Sequence, residues 1–250
     1  MERSGGARDI LLVTLTESRR RGKILLILIH YEGMKMDHFE HIDMDKWPRA
    51  ELYRLYTEVW STVTYSVTKK LSAAKLVPYL KGKGVKFAPA VMWLISREIN
   101  RIENFRLAVR DGRLGRWDVI HPMFPMLNAH ENMTFHGLTH HGDFKVFYES
   151  YLAEQRENRN KTGLWANKIP TNFFMVSIFP WLHFDAASMQ LKNAKEYFAP
   201  FIAVGQYNEE MELPCMLMGN HAATDLWHVS KFFSGMQEGL DDPSQWCNIE

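Results

Sequence analysis

The run with the most reactive side-chain types is Asn220-His221-Ala222-Ala223-Thr224-Asp225-Leu226-Trp227-His228-Val229. It sits between a strand-like stretch, Glu212 to Asn220, and an amphipathic helix expected around Trp227 to Gln237. Histidine is the side chain whose ordinary pKa lets it accept and return a proton near neutral pH, and an acid four positions on can organise the turn or find a cation elsewhere. By itself the H-x-x-x-D spacing is weak evidence, because a chain with 11 histidines and 29 acids meets it by chance. His121, His130, His136, His140 and His141 follow no metal-ligand spacing, so they are expected on loops and strand faces with no metal bound.

The elements that would position these groups alternate in type. Pro48 opens a helix carrying Leu52, Tyr53, Leu55 and Tyr56 at helical spacing. Thr62 to Lys70 alternates as a strand, and Leu71 to Lys81 and Ala88 to Ile102 read as helices, the second with Val91, Leu94, Ile95, Ile99 and Ile102 on one stripe. Arg106 to Arg110 and Gly115 to Ile120 flank Asp111-Gly112 as a hairpin. Met133 to Thr139, Phe173 to Ile178 and Phe201 to Tyr207 read as strands, and Phe144 to Asn158 as a helix. With no internal repeat or low-complexity linker, one α/β domain is the expectation, a mixed sheet flanked by helices.

Composition excludes several classes. Lysine and arginine number 30 against 29 acids, a net charge of +1, so no polyanionic partner such as nucleic acid is expected. The 46% hydrophobic and 24% charged content is that of an ordinary globular chain. Cys215 and Cys247 form neither a metal spacing nor a disulfide framework, which favours a reducing, cytoplasmic compartment. Arg19-Arg20-Arg21 before Ile24 to Ile29 is too short an apolar run to span a bilayer, and no small-residue cleavage site follows, so no membrane association is expected. Residues 1–35 read as a poorly ordered extension, 36–240 as the domain and 241–250 as a C-terminal tail.

From about Phe39 to Gln237 the chain resembles the chloramphenicol acetyltransferase family. The likeness rests on islands in order: Trp47-Pro48-Arg49 with Glu51 and Tyr56; Phe87-Ala88-Pro89-Ala90 with Arg97-Glu98-Ile99-Asn100; Arg116-Trp117-Asp118 before His121-Pro122; and Met133-Thr134-Phe135. Ser177-Ile178-Phe179-Pro180-Trp181, Tyr197-Phe198-Ala199-Pro200 and His221-x-x-x-Asp225-x-x-His228-Val229 complete them. The resemblance implies the CoA-dependent acyltransferase fold and acetyl transfer from acetyl-CoA, as co-substrate, to a hydroxyl of chloramphenicol or a related small molecule, without an acyl-enzyme. It makes His221 the general base and Ser177 the donor to the oxyanion. Asp225 becomes the partner of Arg49 in a buried pair that holds the histidine's loop, Tyr56 and Phe135 line the acceptor site, and Tyr207 lies near the adenine end of CoA. It further implies a homotrimer with active sites between subunits.

Three positions depart from the family pattern. Leu226 replaces a glycine and would carry a backbone penalty if that position needs positive φ. Ala203 replaces a threonine that helps hold a water at the intermediate, and Gln206 replaces a lysine near CoA. They motivate an alternative, a catalytically weak or silent member that binds acyl-CoA or an apolar ligand. Dihydrolipoamide acyltransferase cores share the H-x-x-x-D-G logic, but this chain carries no lipoyl domain or long linker.

Overall fold

Two sheets organise the protein in the computed structural model, which describes residues 37–60, 63–191 and 196–249. The expected extension at residues 1–35 lies outside the described residues. The main sheet has six strands in the order β2-β9-β8-β7-β5-β6: β2 Thr64–Ser72, β5 His121–Leu127, β6 Met133–Gly137, β7 Phe173–Ile178, β8 Phe201–Val204 and β9 Glu212–Asn220. Strands β5, β7 and β8 run parallel and the other pairings are antiparallel. The second sheet, β1-β4-β3, is built from β1 Phe39–His41, β3 Leu107–Arg110 and β4 Arg113–Trp117. Mixed pairing flanked by helices is the architecture the sequence pattern implies.

Alternation along the strands gives the main sheet two apolar faces. Phe174, Val176, Ile202, Val204, Leu213, Cys215 and Leu217 share the principal core with the helices α3 (Phe87–Arg101) and α5 (Leu226–Asp241). Phe201, Ala203, Met216 and Met218 make a smaller cluster on the other face with Met175, Phe179 and Phe184. Helix α4, Phe144–Asn158, starts at Asp143, whose carboxylate accepts the Val146 N–H at 3.1 Å as a cap.

Several elements differ from the pattern reading. Leu71 and Ser72 continue β2 because they pair with Leu213 and Glu212, and helix α2 begins only at Leu76, running to Lys83. Strand β5 carries Pro122 and Pro125, which lack ladder donors and therefore hide a strand from pattern reading, yet it pairs on both sides. The helix after Pro48 is short: α1, Ala50–Arg54, widens into a π-helical turn over Leu55–Val59, closed by the Trp60 N–H on the Leu55 carbonyl at 2.9 Å. Past α5, Trp246 packs on Trp93 and Phe144 and donates to the Gly239 carbonyl at 2.9 Å, so the segment set apart as a tail joins the core. Among the described residues no helix is long and apolar enough to cross a membrane.

Candidate active site

His221 follows directly on β9, in a turn that must stop the strand and start α5 within five residues. Every carbonyl from Asn220 to Ala223 is taken. The Asn220 carbonyl accepts the Ala223 and Thr224 N–H groups at 3.0 and 2.9 Å. Arg49 Nη2 donates to the His221 carbonyl at 2.9 Å and Nε to that of Ala222 at 3.4 Å. Asn104 Nδ2 takes the Ala223 carbonyl at 2.8 Å. The Asn220 side chain accepts the Ala222 N–H at 2.9 Å, and the His221 N–H donates to Val63 at 2.9 Å. A turn with its polar groups satisfied in this way holds one geometry, because any other would strand buried donors and acceptors.

The small sheet explains how Arg49 and Tyr56 arrive here. Leu107 and Leu114 of that sheet cluster with Phe198, Ala222 and Ala223, and Trp47, Tyr53 and Tyr56 pack against them. This wedges α1 against the turn. Tyr56 then lies flat on the His221 ring, with centroids 5.0 Å apart and planes 14° apart, while Tyr65 of β2 closes from another side at 4.6 Å and 57°. Trp60, 57% exposed, meets Tyr56 edge-on at 5.4 Å and extends this aromatic ledge to the surface.

Burial pulls the His221 pKa below 6.5; the Arg49 charge lowers it further, opposed by Asp225 and by a hydrogen bond to the Thr224 backbone. The imidazole is therefore neutral and able to accept a proton at physiological pH.

Asp225 does three jobs. Its Oδ2 binds Arg49 Nη1 at 2.9 Å, and its Oδ1 caps α5 by accepting the Trp227 N–H at 3.0 Å and faces His228 Nδ1 at 2.9 Å. His228 Nδ1 also lies 3.2 Å from the Asp225 N–H. One nitrogen cannot donate to the carboxylate and accept from the amide at once, so the tautomer of His228 selects between them. Burial raises the Asp225 pKa, but the Arg49 hydrogen bond and His228 outweigh it and leave the carboxyl below 3.8. The expectation of a buried pair needs correction at one partner: the Arg49 side chain is 12% exposed, but that of Asp225 is 38% exposed, because a capping side chain stands at the mouth of its helix.

Asp225→Ala removes the cap, about 1 kcal/mol, and a charged hydrogen bond, about 1.5–3 kcal/mol with the lower end favoured by exposure. A urea melt should show a loss of about 2–3 kcal/mol at neutral pH. Because the folded-state pKa is depressed, this stabilisation is present above pH 3.8 and disappears as the pH falls through the lower folded value. The difference between wild type and variant should therefore shrink under acid.

The penalty raised for Leu226 does not arise. It is the first residue of α5, and among the described residues the non-glycine ones with positive φ are Asp111, Glu131 and Met211. Its side chain, 58% exposed, points outward.

The remaining expected site residues lie elsewhere. Ser177 is buried on β7, paired with Ala203, which pairs with Met216. His221 lies five residues beyond Met216 and two strands away. Strand geometry puts the two Cα atoms about 19 Å apart, too far for both side chains to touch one carbonyl. Phe135 pairs with Pro125, and continuing the β5–β7 register by two residues places it on the same face as Ser177, two strands or about 10 Å away. Tyr207 packs on Phe87 with ring centroids 5.3 Å apart, beyond β8 at the end of the sheet opposite His221. One chain thus holds two groups, His221 with Arg49, Tyr56 and Asp225, and Ser177 with Phe135.

Sequence reasoning missed Tyr65, Thr224 and Asn104 as parts of the site. Only the pairing of Tyr65 with Gly219 in the β2–β9 ladder could have signalled the first. Among the described residues no cluster of three or more metal-ligating side chains occurs. His121 bonds Asp37 at 2.7 Å, His136 bonds Glu154 at 2.8 Å and His140 bonds Ser96 at 2.9 Å.

Comparison with known proteins gives the family. A chloramphenicol acetyltransferase from Staphylococcus aureus is 32% identical over 216 residues, covering 84% of this chain and 99% of that protein. Chloramphenicol acetyltransferase 3 from Escherichia coli is 28% identical over 207 residues, covering 80% and 96%. A solved chloramphenicol acetyltransferase superposes with a TM-score of 0.74 at 18% identity, covering 81% of this chain and all of that one. A catalytic core of a 2-oxoacid dehydrogenase complex from Thermoplasma acidophilum shares the fold at a TM-score of 0.57 and 10% identity, covering 82% of this chain and 99% of that one. The family model described as chloramphenicol acetyltransferase matches residues 36–237, which takes in both side-chain groups and the turn between β9 and α5, and the chain belongs to that family.

Proposed function

We propose that the protein transfers an acetyl group from acetyl-CoA to a hydroxyl of chloramphenicol or a related small molecule, at a site shared between two subunits of a homotrimer. The observation that carries this reading is the neutral His221 ring, set between Tyr56 and Tyr65 in a turn whose Asn220 to Ala223 carbonyls are all satisfied. His221 takes the acceptor's hydroxyl proton as the oxygen attacks the thioester carbonyl. Ser177 of a neighbouring copy donates a hydrogen bond to the oxyanion, with Phe135 of that copy against the acceptor. Collapse of the tetrahedral intermediate breaks the carbon–sulfur bond, and the departing thiolate takes the proton from the imidazolium. The products are an acetyl ester and free CoA, with no acyl-enzyme and no metal. Tyr207 is the expected contact for the adenine end of CoA.

The separation of His221 from Ser177 within one chain supports a site completed by a second copy, and threefold closure satisfies every such site in one ring. The buried, free thiols of Cys215 and Cys247 fit a cytoplasmic setting. Steady-state release of CoA thiol with chloramphenicol as acceptor tests the reading. Turnover should titrate with an acid limb below pH 6.5, because protonation disables a base whose pKa is already lowered. Ala203, directly opposite Ser177, brings no hydroxyl to the oxyanion side and favours a second reading as a weak or silent member binding acyl-CoA. No thiol release with any hydroxyl acceptor would decide for that alternative.

A further inference from the structure

The turn that carries His221 has one anchor outside the Arg49–Asp225 pair that comes from a different strand. The Tyr65 hydroxyl lies 2.8 Å from Thr224 Oγ1, and Thr224 Oγ1 in turn donates to the Asn220 carbonyl at 3.2 Å. The Tyr65 ring itself stands against the His221 imidazole, with centroids 4.6 Å apart. Thr224 is fully buried, so an unpaired hydroxyl there would be costly. The opposite side of the contact is shaped for Tyr65. Gly219 is its ladder partner, and a Cβ on Gly219 would overlap the Tyr65 ring and hydroxyl. The missing side chain at position 219 is what lets this ring lie down beside the imidazole and reach Thr224.

We infer that Tyr65 is a positioning residue for His221: its hydroxyl, tied to Thr224, pins the tyrosine ring against the imidazole and so fixes the imidazole's direction. The inference rests on the proposed role of His221 as the base. In this role Tyr65 acts through the turn and its ring contact with the imidazole. The aromatic ring alone fills the space between β2 and the imidazole, so Tyr65→Phe keeps packing and removes only the hydroxyl.

A double-mutant cycle of Tyr65→Phe and Thr224→Val tests this, with Thr224→Ser as the conservative rescue. Each single variant should lower kcat about tenfold with the KM for acetyl-CoA unchanged, since a small misdirection of a base is felt in the chemical step. The double variant should be no slower than the slower single one, and Thr224→Ser should restore wild-type turnover. Gly219→Ala, which leaves both hydroxyls present but displaces the ring, should lower kcat at least as much. Unchanged kcat in Tyr65→Phe, or fully additive losses in the double variant, would overturn the inference.

A second readout needs no substrate and so separates this inference from the proposed reaction. In ¹³C-histidine-labelled protein the His221 ring signal is assigned by its loss in His221→Gln. It should shift or broaden in Tyr65→Phe and Thr224→Val and stay in place in Thr224→Ser. An unmoved signal in Tyr65→Phe sinks the positioning role even if acetyl transfer is confirmed. A moved signal in a protein with no acetyl transfer upholds the positioning role and removes only the reaction assigned to the ring.

Discussion

His221→Ala is expected to lower kcat for acetyl transfer by about 10²- to 10⁴-fold, the range usual for removing a general base. Apart from the Thr224 backbone, the imidazole's neighbours are aromatic faces, whereas the turn is held through backbone carbonyls and the Asn220 and Asp225 side chains. Those contacts survive the substitution. The variant should therefore melt within about 1 kcal/mol of wild type, as expected when the packing network is untouched. The KM for acetyl-CoA should change little, because the lost interaction is one made in the transition state. A variant that retains most of its turnover would exclude His221 as the base, and one that unfolds would move its role to the scaffold. Calorimetry beside thiol-release kinetics distinguishes the two.

Ser177→Ala carries the second large effect. One oxyanion donor is worth about 2.7–4 kcal/mol, which corresponds to a fall of about 10²- to 10³-fold in kcat. The arrangement also predicts something a single-chain site would not. If Ser177 of one subunit serves His221 of the next, inactive His221→Ala chains mixed with inactive Ser177→Ala chains during refolding should regain activity. Random assembly gives about a quarter of the sites one intact serine and one intact histidine, since each site draws one residue from each of two neighbouring chains. Recovery near that fraction supports the shared site. With no recovery in assembled mixed trimers, the register distance between the two residues would have to be bridged in some other way and the proposed mechanism would fail.

Several elements were legible in the sequence because local rules and tertiary context agree there. Helix α4 begins at Phe144 after a capping Asp143, and strands β7 and β9 have the bounds that alternation suggests. Other features were hidden because a partner decides them. Leu71 looks helical by spacing, but Leu213 across the ladder holds it in a strand. Pro122 and Pro125 mask β5, which the neighbouring β6 and β7 nevertheless pair. The π-helical turn that swings Tyr56 over His221 has no spacing signature of its own and depends on how α1 is wedged against the small sheet.

Residue types and spacing drew attention to His221 and Asp225, and the ordered islands of family resemblance added Arg49 and Ser177, because reactive chemistry is carried by side-chain identity. What each one faces was decided by the tertiary structure alone. Strand register placed Ser177 far from His221, the cap at Asp225 left that carboxylate half in water, and the small sheet brought Tyr56 onto the imidazole. Register, exposure and ring stacking are properties of pairs distant in the chain, and a one-dimensional pattern holds no distance between them.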